Sequence, residues 1–230
     1  MKLGLLQCDH TLSTLRDIAG DTDEMFARWL PADWRVYDLQ NGETPQDLDE
    51  CDAYISTGSK ASVYDDEPWI RKFADLTRRI HASHKPFLGV CFGHQMMGHA
   101  LGGRVAKSPN GWGIGVHKFT IQQGEAWMQP PANAIHVLMS CQDQVLELPP
   151  GAEVLGGNQH CPVGLFRVGN MLGIQGHPEF APAYAEALLT LRRERIGAER
   201  VDAALATLHL PTDAALLAQW VTEFLTRSAT

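Results

Sequence analysis

Two short stretches of this 230-residue chain carry residue types that can do covalent chemistry together. In GVCFG, residues 89–93, a lone thiol, Cys91, stands between Gly89 and Gly93 at the end of the apolar run PFLGV. A segment with a helical pattern follows at once, so Cys91 falls where a strand turns into a helix. The spacing G-x-C-x-G follows the logic of the G-x-S-x-G nucleophile elbow, in which glycines relieve crowding around a tight corner that exposes the nucleophile. A sulfur placed there lies near a helix N-terminus, whose dipole and free N–H groups favour thiolate over thiol. The N–H of Phe92 then points to where an oxyanion would form. The second stretch is His177-Pro178-Glu179. Pro178 biases His177 towards an extended backbone, and in an extended segment residues i and i+2 face the same side. Glu179 can therefore reach the imidazole, fix its tautomer and stabilise the imidazolium. A thiol, a base and a group that orients the base form a constellation for acyl transfer.

The elements that must hold these residues follow from the hydrophobic pattern. KLGLLQC, WRVYDL (34–39), DAYIST (52–57) and PFLGV (86–90) read as strands. Helices are expected over about 21–30, over 68–84 with Pro68 in the first turn, and from Cys91 to Leu101, stopped by Gly102-Gly103. Alternating strand and helix predicts an open, mostly parallel sheet with helices on both faces. Ligands bind such a sheet at the carboxyl ends of its strands, where Cys91 lies. Between Gly115 and Gln175 the runs VHKFTI, AIHVLM, VGLFRV and MLGIQ read as antiparallel strand additions. Residues 181–209 read as two further helices. Leu216, Leu217, Trp220, Val221, Phe224 and Leu225 then form an apolar stripe. That stripe is expected to pack on the core, with a homodimer interface as the alternative. With no repeat or linker in view, residues 1–230 read as one domain with a helical extension from about 181.

On GVCFGHQ (89–95), HPE (177–179), MSCQDQV (139–145) and STGSKASVYDDEPWI (56–70), the sequence resembles the class I, triad-type glutamine amidotransferases. The likeness is to free-standing proteins similar to the amidotransferase domain of GMP synthetase. The resemblance implies a flavodoxin-like architecture and a Cys91 nucleophile that attacks the glutamine side-chain amide and releases ammonia. A γ-glutamyl thioester is left for water to hydrolyse. It implies His177 as base and acid, Glu179 as its orienter, and Gly58 and Phe92 as oxyanion N–H donors. Gln95 and the backbone of Ser140 and Cys141 would hold the amino-acid end of the substrate. Two departures stand out: Ser56-Thr57-Gly58-Ser59 replaces the family's S-G-G-P, and Cys141 stands where the GMP synthetase domain has a histidine.

Composition narrows the alternatives. A net charge of −8 without a Lys/Arg run argues against nucleic-acid or membrane-surface partners. No window approaches a membrane span and no signal peptide is evident, so a cytoplasmic protein is expected. The five scattered cysteines, without a CxxC pair, argue against a disulfide framework or structural zinc. Cys8 and Cys51 read as core residues and His94 as a packed histidine. His160-Cys161 lacks further ligands at zinc spacing. No cofactor or metal is expected. Neither G-x-x-x-x-G-K-[ST] nor S-G-G-x-D-S occurs, so a synthase that activates an ammonia acceptor would be a separate subunit. Two other readings compete: a γ-glutamyl peptidase or transferase acting on glutathione-like substrates through the same thioester, and a non-catalytic glutamine-binding regulatory subunit.

Overall fold

The computed structural model describes residues 1–227. The chain opens with β1 (Lys2–Gln7), a single helical turn α1 (Arg16–Ala19), and α2 (Thr22–Trp29). Asp21 caps α2 in a reciprocal capping box with Glu24. Next come β2 (Asp33–Asp38), β3 (Ala53–Ser56), α3 (Pro68–Ala82), β4 (Phe87–Val90) and α4 (Phe92–Ala100). The middle supplies β5 (Arg104–Lys107), β6 (Gly113–Ile121), β7 (Ala134–Cys141), β8 (Asp143–Glu147) and β9 (Glu153–Gly157). β10 (Leu165–Val168) and β11 (Met171–Ile174) form a hairpin. The chain then runs through α5 (Pro182–Leu191), the short α6 (Arg193–Ile196), α7 (Ala198–Leu205) and α8 (Ala214–Arg227).

The main sheet has nine strands in the order β2-β1-β3-β4-β11-β10-β9-β6-β7. The five strands from β2 to β11 are mutually parallel, as the alternating pattern predicts, and form the flavodoxin-like core that the family resemblance implies. From β11 to β7 the pairing is antiparallel. β5 and β8 form a separate antiparallel pair.

Side-chain alternation assigns the two faces. Leu3, Leu5, Ala53, Ile55, Leu88 and Val90 join the core beneath α2 and α8. Leu6, Tyr54 and Phe87, from the intervening positions, join the opposite core under α3 and α4. Strands buried on both faces need continuous apolar runs, and KLGLLQ and FLGV supply them. The C-terminal stripe lies inside the first core: Leu217, Trp220, Val221, Phe224 and Leu225 are all buried.

The structure departs from the sequence reading in two places. Residues 181–209 hold three helical pieces instead of two, because the run breaks at Arg192 and again at Gly197, whose φ is 104°. β5, β8 and β9 are short strands flanked by turns, with too few residues to show a period. The exposed acidic run Asp65-Asp66-Glu67 leads into α3, with Glu67 at its N-cap; Asp65 accepts from the Ser62 amide and Asp66 pairs with Arg71.

Candidate active site

The site forms because three parallel strands end side by side. In register, Ser56 of β3 faces Gly89 of β4, and Val90 faces Ile174 of β11. The three chains leave the sheet together, into Gly58, Cys91 and His177. The amide of Cys91 donates to Ile174 O at 2.9 Å, tying the corner to β11. Cys91 itself adopts φ 50° and ψ −96°, a left-handed conformation that costs a non-glycine residue about 1–3 kcal/mol. Close approach explains the glycines on either side. A Cβ on Gly89 would stand 2.5 Å from the carbonyl carbon of Gly93, and one on Gly93 would stand 1.8 Å from Ser56 Oγ.

His177 is fixed from two directions. Its amide donates to Leu138 O of β7 at 2.7 Å, so the far edge of the antiparallel half curls back to the end of β11. Its Nδ1 lies 2.7 Å from Glu179 Oε1, the i, i+2 contact expected of an extended H-P-E, and both side chains are buried. The ring of Phe180 stacks on the imidazole.

Electrostatics make the pair reactive. The Cys91 thiol is held well below its ordinary range by a hydrogen bond with Cys141 and, against the cost of burial, by the adjacent His177. Cys141 is pushed the other way by that same contact and stays protonated, so its S–H donates to the Cys91 thiolate. Burial works against a charged His177, yet Cys91 and Glu179 outweigh it and hold the ring protonated above its ordinary range. Cys91 and His177 are thus shifted in opposite directions, each towards its charged form, with Glu179 behind the ring.

Gly58 faces this pair directly: a Cβ there would come within 2.8 Å of His177 Cε1 and 3.6 Å of Cys91 Cβ. Phe92 opens α4, so its N–H has no acceptor within the helix. Gln95 is buried, with Nε2 donating to Asp143 O at 2.7 Å and to Gln175 Oε1 at 3.2 Å. Ser140 Oγ accepts from Arg192 Nη1 at 3.1 Å.

Two chambers meet at Cys91, sharing Ser59, Lys60, Ser140 and Arg192. One contains His177 and Glu179 with Met25, Phe180, Tyr184 and Leu188. The other contains Gln95, Cys141 and Asp143 with Lys107, Trp112 and Arg195. Seven of the eight residues singled out from the sequence line these chambers; the eighth, Phe92, adjoins Cys91 while its ring packs against Trp69 and Phe73.

Other groups were not legible in the sequence. Asp143 lies inside MSCQDQV, and its carboxylate accepts from Ser62 Oγ at 2.5 Å and Tyr64 OH at 3.0 Å. Asp9 grips Lys60 twice, through the backbone amide at 2.9 Å and Nζ at 3.0 Å, anchoring the loop that follows Gly58. Arg192 is one of several arginines in LRRER, with nothing local to distinguish it. His94 is fully buried behind the elbow, neutral because burial disfavours its charge, and edge-on to Phe166. Trp127 lies in the core against Trp220 and Phe224. Among the described residues no group of His, Cys, Asp and Glu could hold a metal, and no helix is long and apolar enough to cross a membrane.

The corner at Cys91 and the His177–Glu179 contact beside it sit together at the carboxyl ends of parallel strands in a flavodoxin-like sheet. The chain belongs to the class I glutamine amidotransferase family, whose model matches residues 33–190. Among its relatives, γ-glutamyl peptidase 4 of Arabidopsis thaliana is 34% identical over 157 residues, covering 64% of this chain and 62% of that protein. The chain thus spans about three-fifths of that relative's length. A glutamine-hydrolysing GMP synthase of Pyrobaculum aerophilum is 35% identical over 133 residues, 57% of this chain and 25% of the synthase. The crystal structure of a glutamine amidotransferase from Thermotoga maritima superposes with a TM-score of 0.76 at 18% identity, covering 99% of this chain and 97% of that one. At that identity it speaks for the fold.

Proposed function

We propose that this protein hydrolyses the side-chain amide of glutamine through a γ-glutamyl thioester on Cys91. The observation that carries the reading is the buried Cys91–His177–Glu179 array, in which the thiol is held below and the imidazole above its ordinary range. The Cys91 thiolate adds to the γ-carbonyl carbon, and the oxyanion takes hydrogen bonds from the N–H groups of Phe92 and Gly58. The C–N bond breaks as His177 gives its proton to the departing nitrogen, leaving the thioester and a neutral imidazole. His177 then removes a proton from water, which adds to the thioester. Collapse of that intermediate breaks the C–S bond and releases glutamate.

Chamber geometry separates the two ends of the substrate. His177 must protonate the leaving amine, so that amine occupies the chamber His177 lines. The amino-acid end then falls in the chamber of Gln95, Ser140 and Cys141, where Asp143 offers an anion for the ammonium and Lys107 and Arg195 offer cations for the carboxylate. Ammonia delivered onward would go to an acceptor activated by a separate synthase, in the cytoplasm.

A second reading, γ-glutamyl peptidase activity, is favoured by one observation: Met25, Phe180, Tyr184 and Leu188 wall the chamber on the His177 side, apolar surface for which ammonia has no use. The deciding experiment incubates the purified protein with glutamine and, separately, with γ-glutamyl dipeptides. Ammonia or amine release from wild type, absent in Cys91→Ser, is the expected result. No release from any of these substrates, with no mass added to Cys91 by a γ-glutamyl diazoketone, would overturn both readings.

A further inference from the structure

Arg192 stands out among the groups around Cys91. It closes α5 at the C-cap, where the helix dipole favours a cation. Among the described residues it makes one hydrogen bond, to the neutral hydroxyl of Ser140, and no ion pair with a carboxylate. Burial works against its charge. A half-buried guanidinium without an anion is poorly compensated, and its fork of donors suits a planar carboxylate. Neighbouring cations are already engaged: Lys60 on Asp9, and Arg193 on Asp202.

Arg192 lines both chambers, and its helix face ties it to the one that contains His177. Tyr184, Leu188 and Arg192 recur every fourth residue and so lie along one helix face. All three line the chamber that contains His177, and Tyr184 and Leu188 line no other part of the site. Phe180, Met25 and Leu12 complete an apolar wall beside them. The opposite chamber has its own cations in Lys107 and Arg195. The leaving-group side thus has one apolar wall among polar groups such as Asp9, His10 and Thr22, and a guanidinium without an anion where the two chambers meet.

We infer that Arg192 is a specificity-determining residue that binds the carboxylate of an amino-acid or short-peptide leaving group, so that the preferred substrates are γ-glutamyl amides of apolar amino acids. The inference rests on the second reading above. Cleavage of such a substrate transfers the glutamyl carbonyl to Cys91, and the proton from His177 goes to the freed α-amine, which departs with its carboxylate on Arg192.

The test measures kcat/KM of wild type and Arg192→Met on γ-glutamyl-leucine, on the same dipeptide with its C-terminal carboxylate converted to carboxamide, and on glutamine. Wild type is expected to prefer the carboxylate over the carboxamide by about 10- to 100-fold, the weight of a charge-assisted hydrogen bond. Arg192→Met should lose most of that preference. Equal wild-type rates on the two dipeptides, or a preference that survives in Arg192→Met, would overturn the inference. So would an equal KM rise for all three substrates, since it would place Arg192 on the α-carboxylate they share. Labelling of Cys91 by the γ-glutamyl diazoketone in both proteins checks that the site is intact. Turnover of glutamine with no turnover of either dipeptide would defeat the inference while leaving glutamine hydrolysis standing.

Discussion

The ring of Phe180 lies parallel to that of His177, with centroids 4.0 Å apart and planes 9° from parallel. Tyr184 meets Phe180 edge-on at 4.7 Å, so the stack is braced by α5. The stack holds the imidazole against rotation and presents an aromatic face to it when it is charged. Phe180→Ala should lower kcat about tenfold through loss of positioning, with KM little changed, while Phe180→Tyr keeps the stack and most of the rate. Steady-state kinetics on glutamine check this, and an Ala variant with wild-type kcat would refute it.

Removing the base or its partner should act on the same step. His177→Ala is expected to cost at least about 10²-fold in kcat, the scale of lost general acid–base catalysis. Glu179→Gln keeps the shape but removes the charge behind the ring, so His177 should also titrate lower. NMR of the imidazole follows that shift, and an unmoved titration would show that Glu179 is not what holds the proton.

Cys91 should react as a thiolate at neutral pH. Alkylation by iodoacetamide should hold its rate as pH falls through 7, where a free thiol of pKa about 8.5 is already mostly protonated. Cys141→Ala removes the hydrogen bond that contributes most to this, and should move the alkylation midpoint upwards. Identical profiles would rule Cys141 out as a donor.

The same pair shapes stability against pH. A lowered Cys91 contributes above the ordinary thiol range and loses that contribution as pH falls through its folded value. A raised His177 contributes below 6.5 and loses that contribution as pH rises through its folded value. Through neutrality the two slopes oppose each other, so thermal stability should be flat there and fall on both sides. Cys91→Ser removes the acid-side fall that Cys91 contributes, and melting curves across pH would show it.

Trp220 is fully buried on α8, its indole N–H donating to Pro130 O at 2.9 Å. Trp220→Ala should cost about 3–5 kcal/mol, as large-to-small core changes do. Urea titration measures this, and a loss under 1 kcal/mol would mean that α8 contributes little to the core.

Local sequence determined a good deal of this protein. Strand and helix periods in KLGLLQ, FLGV and residues 68–82 fix the parallel half of the sheet, because burial on both faces demands continuous apolar strands. The corner at Cys91 and the i, i+2 contact in H-P-E follow from backbone geometry within a few residues. Short β5, β8 and β9 escape such reading because they are too brief to show a period and gain their pairing from distant partners. Tertiary structure alone decided the rest. The register of β3, β4 and β11 sets Gly58, Cys91 and His177 at one level. The curl of β7 brings Cys141 to the nucleophile, and α5 turns Arg192 into the cavity from outside every motif. Those placements depend on contacts between residues far apart in the chain, which spacing along one segment does not encode.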